Sequence, residues 1–154
     1  MNTYPTELVE YNFQLPEWLQ DIVNSVSVED KEYVGVRDFL NVNSIQSDFE
    51  NLLSEIMNQK VKVIRNWINF TVPGTENYFD WHDDLHRKGK ALGIMWLSGD
   101  EDCGGDFWYM DDESMMHSVK FEPSKLITIP RHWIHKVETY TGKKPRIALN
   151  FTYV

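Results

Sequence analysis

The sequence predicts an α+β fold in which N-terminal helices pack on one sheet of an antiparallel, double-sheet core. Apolar residues recur at helical spacing in two early segments, and β-branched and aromatic runs separated by glycine or proline dominate from residue 61 onward. Helices that precede strands, instead of alternating with them, favour α+β over a parallel α/β sheet. The length of 154 residues suits one domain. We expect helical support in residues 1–60 and a strand-rich core in residues 61–154.

Two amphipathic helices are expected in the N-terminal part. The first covers residues 17–28, follows a proline, and places Trp18, Ile22 and Val26 at four-residue steps. The second covers residues 43–56. Its single apolar stripe consists of Ile45, Phe49, Leu52, Leu53 and Ile56. A helix that is apolar on one side only must cover another layer, so we expect both to lie on a sheet.

Eight short strands are expected in the remaining chain. Residues typical of strands form runs that end at glycine or proline turns. The predicted strands are 61–72, 78–82, 91–97, 106–110, 119–121, 126–129, 136–140 and 146–153. Many short strands with a turn signal between each pair indicate a sandwich, a barrel or a jelly roll.

Charge and cysteine content exclude several classes of protein. Lys and Arg total 15 against 24 Asp and Glu, which gives a formal charge of -9. Nucleic-acid affinity comes mainly from cations that neutralise phosphates, so a nucleic-acid partner is not expected. No apolar stretch approaches the length of a membrane span, and no export signal precedes the first helix. Cys103 is the only cysteine, so no intrachain disulfide can form, and we expect a soluble, cytoplasmic protein.

One pattern of polar residues is typical of a metal site. His82 and Asp84 flank one residue at the end of a predicted strand, and a strand points residues i and i+2 to the same side. His135 lies about fifty residues downstream, where a jelly roll can return to the same place. Two imidazoles and one carboxylate form the facial triad that suits Fe(II) and oxygen activation. His132 competes with His135 for the third position.

The last predicted strand carries a candidate binding residue for an anion. Its odd-numbered residues from Ile147 to Tyr153 are large and apolar, while the even-numbered set begins with Arg146 and continues with small or polar side chains. A small, polar face with one guanidinium fits the wall of a cavity that holds a carboxylate through a bidentate pair.

These motifs together resemble the prolyl-4-hydroxylase-like branch of the 2-oxoglutarate and Fe(II)-dependent dioxygenases. The resemblance covers residues 61–154 and rests on five features in a fixed order. They are a strand that leads into His82 and Asp84, the apolar strand 91–97, the turn Gly104-Gly105-Asp106, the proline-containing approach to His135, and the late basic residue Arg146.

The resemblance implies a double-stranded β-helix, or jelly roll, as the catalytic core. It implies that the triad holds Fe(II), that 2-oxoglutarate chelates the metal, and that O2 is the oxidant, with ascorbate as an optional further cofactor. Arg146 would bind the C5 carboxylate of 2-oxoglutarate, while Asn69, Thr71 and Tyr78 compete for a further contact with it. The implied activity is hydroxylation of a C–H bond coupled to decarboxylation of 2-oxoglutarate, on a protein or peptide side chain.

Other interpretations of the same residues are open. A non-catalytic, metal-binding jelly roll would keep the fold without the reaction, and an oxygenase of the same cofactor class could act on nucleic acid or a small molecule. His82 and His86 would form a zinc pair on a helix, but the segment before them is strand-like. The acidic runs 100–102 and 111–113 lack the ligand spacing of a calcium-binding loop.

Overall fold

The computed structural model describes residues 2–29, 35–38, 43–71 and 80–154, and for residues 26–29, 35–38 and 43–44 it describes the backbone only. The elements in chain order are β1 (Val9–Asn12), α1 (Glu17–Glu29), β2 (Gly35–Asp38), α2 (Asn43–Met57), β3 (Val63–Thr71), β4 (Ala91–Ser98), β5 (Phe107–Met110), β6 (Met116–Val119), β7 (Lys125–Pro130), β8 (His135–Val137) and β9 (Arg146–Tyr153). No helix in these ranges is long and apolar enough to cross a bilayer.

The strands form two antiparallel sheets. The larger sheet has six strands in the order β1-β7-β4-β9-β3-β2, and the smaller sheet has three in the order β6-β5-β8. Every neighbouring pair is antiparallel. The central strands β4 and β9 are buried along their whole length, so the larger sheet must be covered on both faces.

The two faces of the larger sheet belong to two different apolar clusters. One cluster joins the odd-numbered residues of β9 to the helices, and Phe49 of α2 packs edge-on against Phe151 at a ring distance of 5.5 Å. The other cluster joins the opposite face to the smaller sheet through residues such as Trp96, Phe107 and Phe121. The helices therefore support the sheet from one side, which leaves the other side for the space between the two sheets.

Most of the predicted elements are confirmed, with differences at the ends. Both helices occur within one residue of the predicted bounds. The strand predicted at 119–121 is instead Met116–Val119, because Phe121 leaves the sheet and its backbone N–H donates to Asp106 Oδ1 (2.8 Å). The strand predicted at 136–140 is His135–Val137. Most of the strand predicted at 78–82 lies outside the described residues.

Two strands of the N-terminal part were not predicted. β1 and β2 are four residues each and pair with β7 and β3, so they form the two edges of the larger sheet. Residues 1–60 therefore supply sheet edges as well as helical support. Neither strand has the continuous apolar run by which the central strands are recognised.

Gly93 provides the space that an aromatic ring of the helix-covered face requires. Gly93 pairs with Phe151 in the sheet, and a Cβ atom at position 93 would lie 2.1 Å from Cζ of the ring. We expect Gly93→Ala to lower the free energy of unfolding by about 1–3 kcal/mol, since an overpacked core forces side chains from their preferred rotamers. Urea denaturation measures this difference.

A double-mutant cycle tests the cause of this loss. Phe151→Leu removes the ring atoms that the new methyl group would meet, so the double variant is expected to lose less than the sum of the two single losses. Additive losses, or an unchanged urea midpoint for Gly93→Ala, would show that the contact does not limit the packing.

Candidate metal and anion site

The two candidate histidines are joined through their backbones. His82 N–H donates to the carbonyl of His135 (3.0 Å), and His135 N–H donates to the carbonyl of His82 (2.9 Å). This bridge places the segment before β4 beside the first residue of β8. The two rings lie 4.4 Å apart as a result.

Hydrogen bonds set which ring nitrogens are free to bind a cation. The Nδ1 atom of His82 lies 2.6 Å from the carbonyl oxygen of Asp80, and Nδ1 of His135 lies 3.0 Å from that of Trp133. A carbonyl oxygen can only accept, so Nδ1 carries the proton in both rings. Both Nε2 atoms therefore keep a lone pair, as a metal ligand requires.

Asp84 completes the group of candidate ligands. Its side chain is 4% exposed, and its Oδ2 lies 3.0 Å from Nε2 of His135. One ligand atom from each of His82, Asp84 and His135 lies within 4.8 Å of the others. Despite the short distance, Oδ2 has no hydrogen bond of suitable geometry among the described residues. Because ligand atoms of all three side chains converge, the donor set fits a cation that they share.

The charge of Asp84 is favoured by its surroundings. Burial raises the pKa of this carboxyl group, but contact with His135 and the nearby positive charges outweigh burial, so the pKa lies below its ordinary value. Asp84 is thus ionised at neutral pH. An ionised carboxylate with two neutral imidazoles is the ligand set preferred by Fe(II), although Mn(II), Co(II) and Zn(II) also bind such sites.

Arg87 holds the other oxygen of Asp84, a contact that was not predicted from the sequence. Its Nε lies 3.4 Å from Asp84 Oδ1. The guanidinium also lies over the ring of Trp67, with 3.8 Å from Cζ to the ring centroid, and the backbone carbonyl of Arg87 accepts a hydrogen bond from Arg131. These contacts place the guanidinium charge beside Oδ1, although Nε makes no hydrogen bond among the described residues, and Oδ2 is the oxygen that lies nearer the histidines.

We expect Arg87→Ala to weaken metal binding by about tenfold, because groups that orient a ligand typically contribute 10–100-fold to metal affinity. Calorimetric titration with Mn(II), a redox-stable substitute for Fe(II), measures the change. Arg65→Ala is the matched control, since Arg65 is an exposed arginine nearby that lines the same surface pocket. Equal affinities in the two variants would mean that Arg87 does not position the ligand.

A cavity extends from the histidines between the two sheets. It is partly continuous with solvent, and its wall includes His82 and His135 at one place and Arg146 at another. Ile94, Phe107 and Val137 supply apolar surface, and the Phe107 ring stacks on His135 at 5.3 Å. Ligand pockets of this kind combine apolar walls with a few polar groups.

Arg146 is fully enclosed in this cavity wall. It is 1% exposed, its Nε donates to the carbonyl of Gly105 (3.1 Å), and its guanidinium lies 4.8 Å from the ring centroid of Phe121. Nη1 is buried with no partner in the described part of the chain. Burial lowers the pKa of Arg146 to about 10, so the side chain stays charged at neutral pH. An enclosed cation with an unpartnered donor fits a carboxylate ligand.

The glycine turn before β5 allows Arg146 to reach this position. Gly104 and Gly105 both have positive φ (77° and 74°), a region that residues with a Cβ rarely adopt. A Cβ on Gly105 would lie 2.8 Å from Nε of Arg146. The two glycines therefore form the turn and leave room for the guanidinium.

Asn69, Thr71 and Tyr78 are the three further candidates for binding the anion, and the structure describes the first two of them. Asn69 lines the cavity, and Thr71 pairs with Arg146 across the two strands. Asn69 Oδ1 and Thr71 Oγ1 are both buried without a partner among the described residues. Tyr78 lies outside the described residues. Asn150 also lines the cavity with an unpartnered Oδ1, and the alternation of β9 already placed it on this face.

The alternative metal ligands lie elsewhere. His132 is exposed, and its Nε2 lies 2.7 Å from Oδ1 of Asp112. His86 lines a separate surface pocket. Within the described ranges, His82, Asp84 and His135 are the one group of three such side chains close enough to share a metal ion. Asp111 and Asp112 of the second acidic run are paired with histidines.

The whole fold is similar to three solved structures. An oxidoreductase of the 2OG-Fe(II) oxygenase family from Burkholderia pseudomallei has a TM-score of 0.65 and 13% identity, covering 96% of this chain and 84% of that one. A Pseudomonas putida prolyl-4-hydroxylase has a TM-score of 0.64 and 14% identity, with 96% and 86% covered. The viral collagen prolyl hydroxylase of Paramecium Bursaria Chlorella virus-1, in its 2OG complex, has a TM-score of 0.60 and 15% identity, with 96% and 95% covered.

These similarities concern the fold. The sequence matches no protein-family model and no curated protein sequence. At 13–15% identity, the structures confirm the predicted α+β fold with a jelly-roll core, and they confirm at the level of fold the resemblance seen in the sequence. The reaction must be argued from the side chains in the cavity.

Proposed function

We propose that this protein is a 2-oxoglutarate- and Fe(II)-dependent oxygenase that hydroxylates a C–H bond of a protein or peptide side chain. The observation that carries the proposal is that one cavity wall contains both Arg146 and two of the three convergent ligands, His82 and His135, with Asp84 directly beside them. A site for metal alone would not need a buried guanidinium, and a site for a carboxylate alone would not need two imidazoles whose Nε2 atoms are free.

The triad would hold Fe(II) through Nε2 of His82, Oδ2 of Asp84 and Nε2 of His135. Bound Fe(II) would activate O2, coupling the oxidative decarboxylation of 2-oxoglutarate to succinate and CO2 with hydroxylation of the substrate. Three protein ligands leave positions open for the cosubstrate and for O2. The backbone bridge between the two histidines holds the ligand atoms in place before any ion binds.

Arg146 would bind the C5 carboxylate of 2-oxoglutarate through its unpartnered Nη1. Thr71 would donate a further hydrogen bond through its buried hydroxyl, which has no partner in the described residues, and Asn69 and Asn150 could donate through their Nδ2 groups. Ala148 leaves space between these groups, because it lies on the cavity wall with only a methyl side chain. Phe107 and Ile94 would exclude water from the space around the cosubstrate.

The substrate would approach from the side of His82. His82 is exposed, whereas Asp84 and His135 are buried, so the candidate metal site opens to solvent at that residue. The rim there includes Trp81, whose ring lies 5.0 Å from Nζ of Lys136. A site at the surface can accept a side chain of a peptide. Two of the similar structures are named as prolyl hydroxylases, which supports a peptide substrate.

Anaerobic absorption spectroscopy tests the cofactor class without a known substrate. Fe(II) and 2-oxoglutarate are added together, and the visible metal-to-ligand charge-transfer band of the chelate is measured. We expect the band in the wild type, its absence in His82→Ala, and its retention in His132→Ala, an exposed histidine outside the site.

Either result decides between the two main functions. A band together with slow release of succinate in the presence of O2 would support the oxygenase. A folded wild-type protein that binds Mn(II) yet gives no band with Fe(II) and 2-oxoglutarate would be a metal-binding jelly roll, and the proposal would be wrong.

A further inference from the structure

A second pocket, formed mainly by basic side chains, lies next to the candidate metal site and shares Arg87 with it. We call it the basic pocket. It encloses about 760 Å³ of space, part of it open to solvent, and is lined by Ile64 and four basic residues. These four are Arg65, His86, Arg87 and Lys88. No carboxylate is among the described residues that line it.

The two segments that supply the pocket are locally basic within an acidic chain. The protein carries a formal charge of -9, yet residues 60–65 and residues 86–90 each contain three Lys or Arg and no Asp or Glu. Antiparallel packing brings both segments to one end of the larger sheet, where Lys62 N–H donates to Val154 and Lys90 N–H donates to Tyr153. Clustered cations repel one another, so the surface is poised for an anionic partner.

The basic pocket and the metal site share one wall. Arg87 lines the pocket, and its Nε lies 3.4 Å from Oδ1 of Asp84. Arg87 is thus occupied by Asp84 and Trp67, while the exposed side chains of Arg65, His86 and Lys88 remain to bind a ligand. The nearby carboxylate of Asp83 already accepts the N–H of Leu85 (3.0 Å).

We infer that the basic pocket binds an acidic segment of the peptide substrate, a few residues from the side chain that is hydroxylated. The inference rests on the proposed function, because a peptide bound in the pocket would be hydroxylated at the adjacent metal site. Glutamate or aspartate side chains would pair with Arg65 and Lys88, and the pairing would keep the target residue near His82. Exposed charge pairs are individually weak but raise the encounter rate and set the register.

An acidic peptide fits this pocket better than a nucleic acid does. Proteins that bind single strands combine cations with exposed aromatic rings on which bases stack. No Phe, Tyr or Trp is among the described residues that line the pocket, and Trp67, which Arg87 contacts, is only 4% exposed.

Fluorescence anisotropy with a labelled decaglutamate peptide tests the inference. The wild-type protein, loaded with Mn(II), is expected to bind the peptide in low salt and to release it as salt is added. The double variant Arg65→Glu/Lys88→Glu is expected to bind about tenfold more weakly. Lys143→Glu/Lys144→Glu changes the same charge at exposed lysines away from the pocket and is expected to bind as the wild type does.

The outcomes separate this inference from the proposed function. No decaglutamate binding by a wild type that shows the charge-transfer band would overturn the inference and leave the oxygenase in place. Equal losses in the two double variants would also overturn it, because binding would then follow net charge alone. Tighter binding of labelled oligothymidine, lost with Arg65→Glu/Lys88→Glu, would assign the pocket to nucleic acid. Peptide binding without the charge-transfer band would support the basic pocket as an acidic-peptide site and contradict the proposed oxygenase function.

Discussion

Arg146→Met is expected to make the metal-free protein more stable and to weaken the proposed binding of 2-oxoglutarate. A pKa of about 10, lowered mainly by burial, corresponds to an unfavourable free energy of ~3 kcal/mol for the enclosed charge. Methionine fills a similar volume, keeps apolar contact with Phe121 and carries no charge. Replacing buried ionic groups with apolar ones of similar size is often stabilising, and we expect a gain of about 1–2 kcal/mol.

Two measurements on one preparation test this trade-off. Urea denaturation of the metal-free protein gives the free energy of unfolding, and titration of the charge-transfer band gives the affinity for 2-oxoglutarate. We expect the affinity of Arg146→Met to fall by at least about 100-fold, since truncating one partner of a buried charge pair typically costs 3–5 kcal/mol. The band itself should still form at very high cosubstrate concentration.

Arg146→Lys is the control that keeps the positive charge but lacks the planar guanidinium group, which can donate two parallel hydrogen bonds to a carboxylate. It should retain part of the cosubstrate affinity and show no gain in stability, because an ammonium group is at least as costly to bury. A variant Arg146→Met that is less stable than the wild type would indicate that the hydrogen bond to Gly105 outweighs the cost of burial. Unchanged affinity for 2-oxoglutarate would remove Arg146 from the proposed site.

His135→Ala is expected to abolish metal binding. It removes one of the three candidate ligands and leaves Oδ2 of Asp84 without its neighbour at 3.0 Å. Removing a residue that only orients a ligand typically lowers metal affinity by about 10–100-fold. Removing a ligand itself should therefore lower metal affinity by more than about 100-fold. Calorimetric titration with Mn(II) measures this affinity, and the charge-transfer band should vanish in the same variant.

His132→Ala provides the comparison within the same loop. His132 is three residues earlier, exposed, and paired with Asp112, so its removal should leave both Mn(II) affinity and the band unchanged. A loss of binding in His132→Ala with retention in His135→Ala would reverse the assignment of the third ligand. Circular dichroism of both variants would show that the fold is retained.

Strand periodicity accounts for one part of the candidate site and not for the other. The alternation of β9 turns Arg146 to the interior between the sheets, whereas His82 and Asp84 lie outside the named strands. An isolated bridge between His82 and His135 and the contact of Asp84 with His135 bring the three side chains together. The face occupied by Ile147 and its alternate neighbours packs against the helices, as expected from their apolar character. Local patterns suffice where the side chain follows directly from the backbone.

The contact between Arg87 and Asp84 could not be predicted in this way. It depends on the turn that carries residues 84–87 and on the ring of Trp67, which comes from β3 twenty residues earlier. The short strands β1 and β2 were missed for a related reason. Their residues are paired because β7 and β3 offer open edges, and the sequences of four residues carry little strand signal of their own.

The edge strands have a consequence for the behaviour of the protein at high concentration. β7 is buried along most of its length, and without β1 it would present a row of open backbone donors and acceptors to other molecules. β1 occupies that row while remaining short, and its residues alternate between half-buried and exposed, with Glu10 on the exposed side beside Lys125. A short, charged outer strand discourages further strand addition, so the N-terminal segment protects the sheet against self-association.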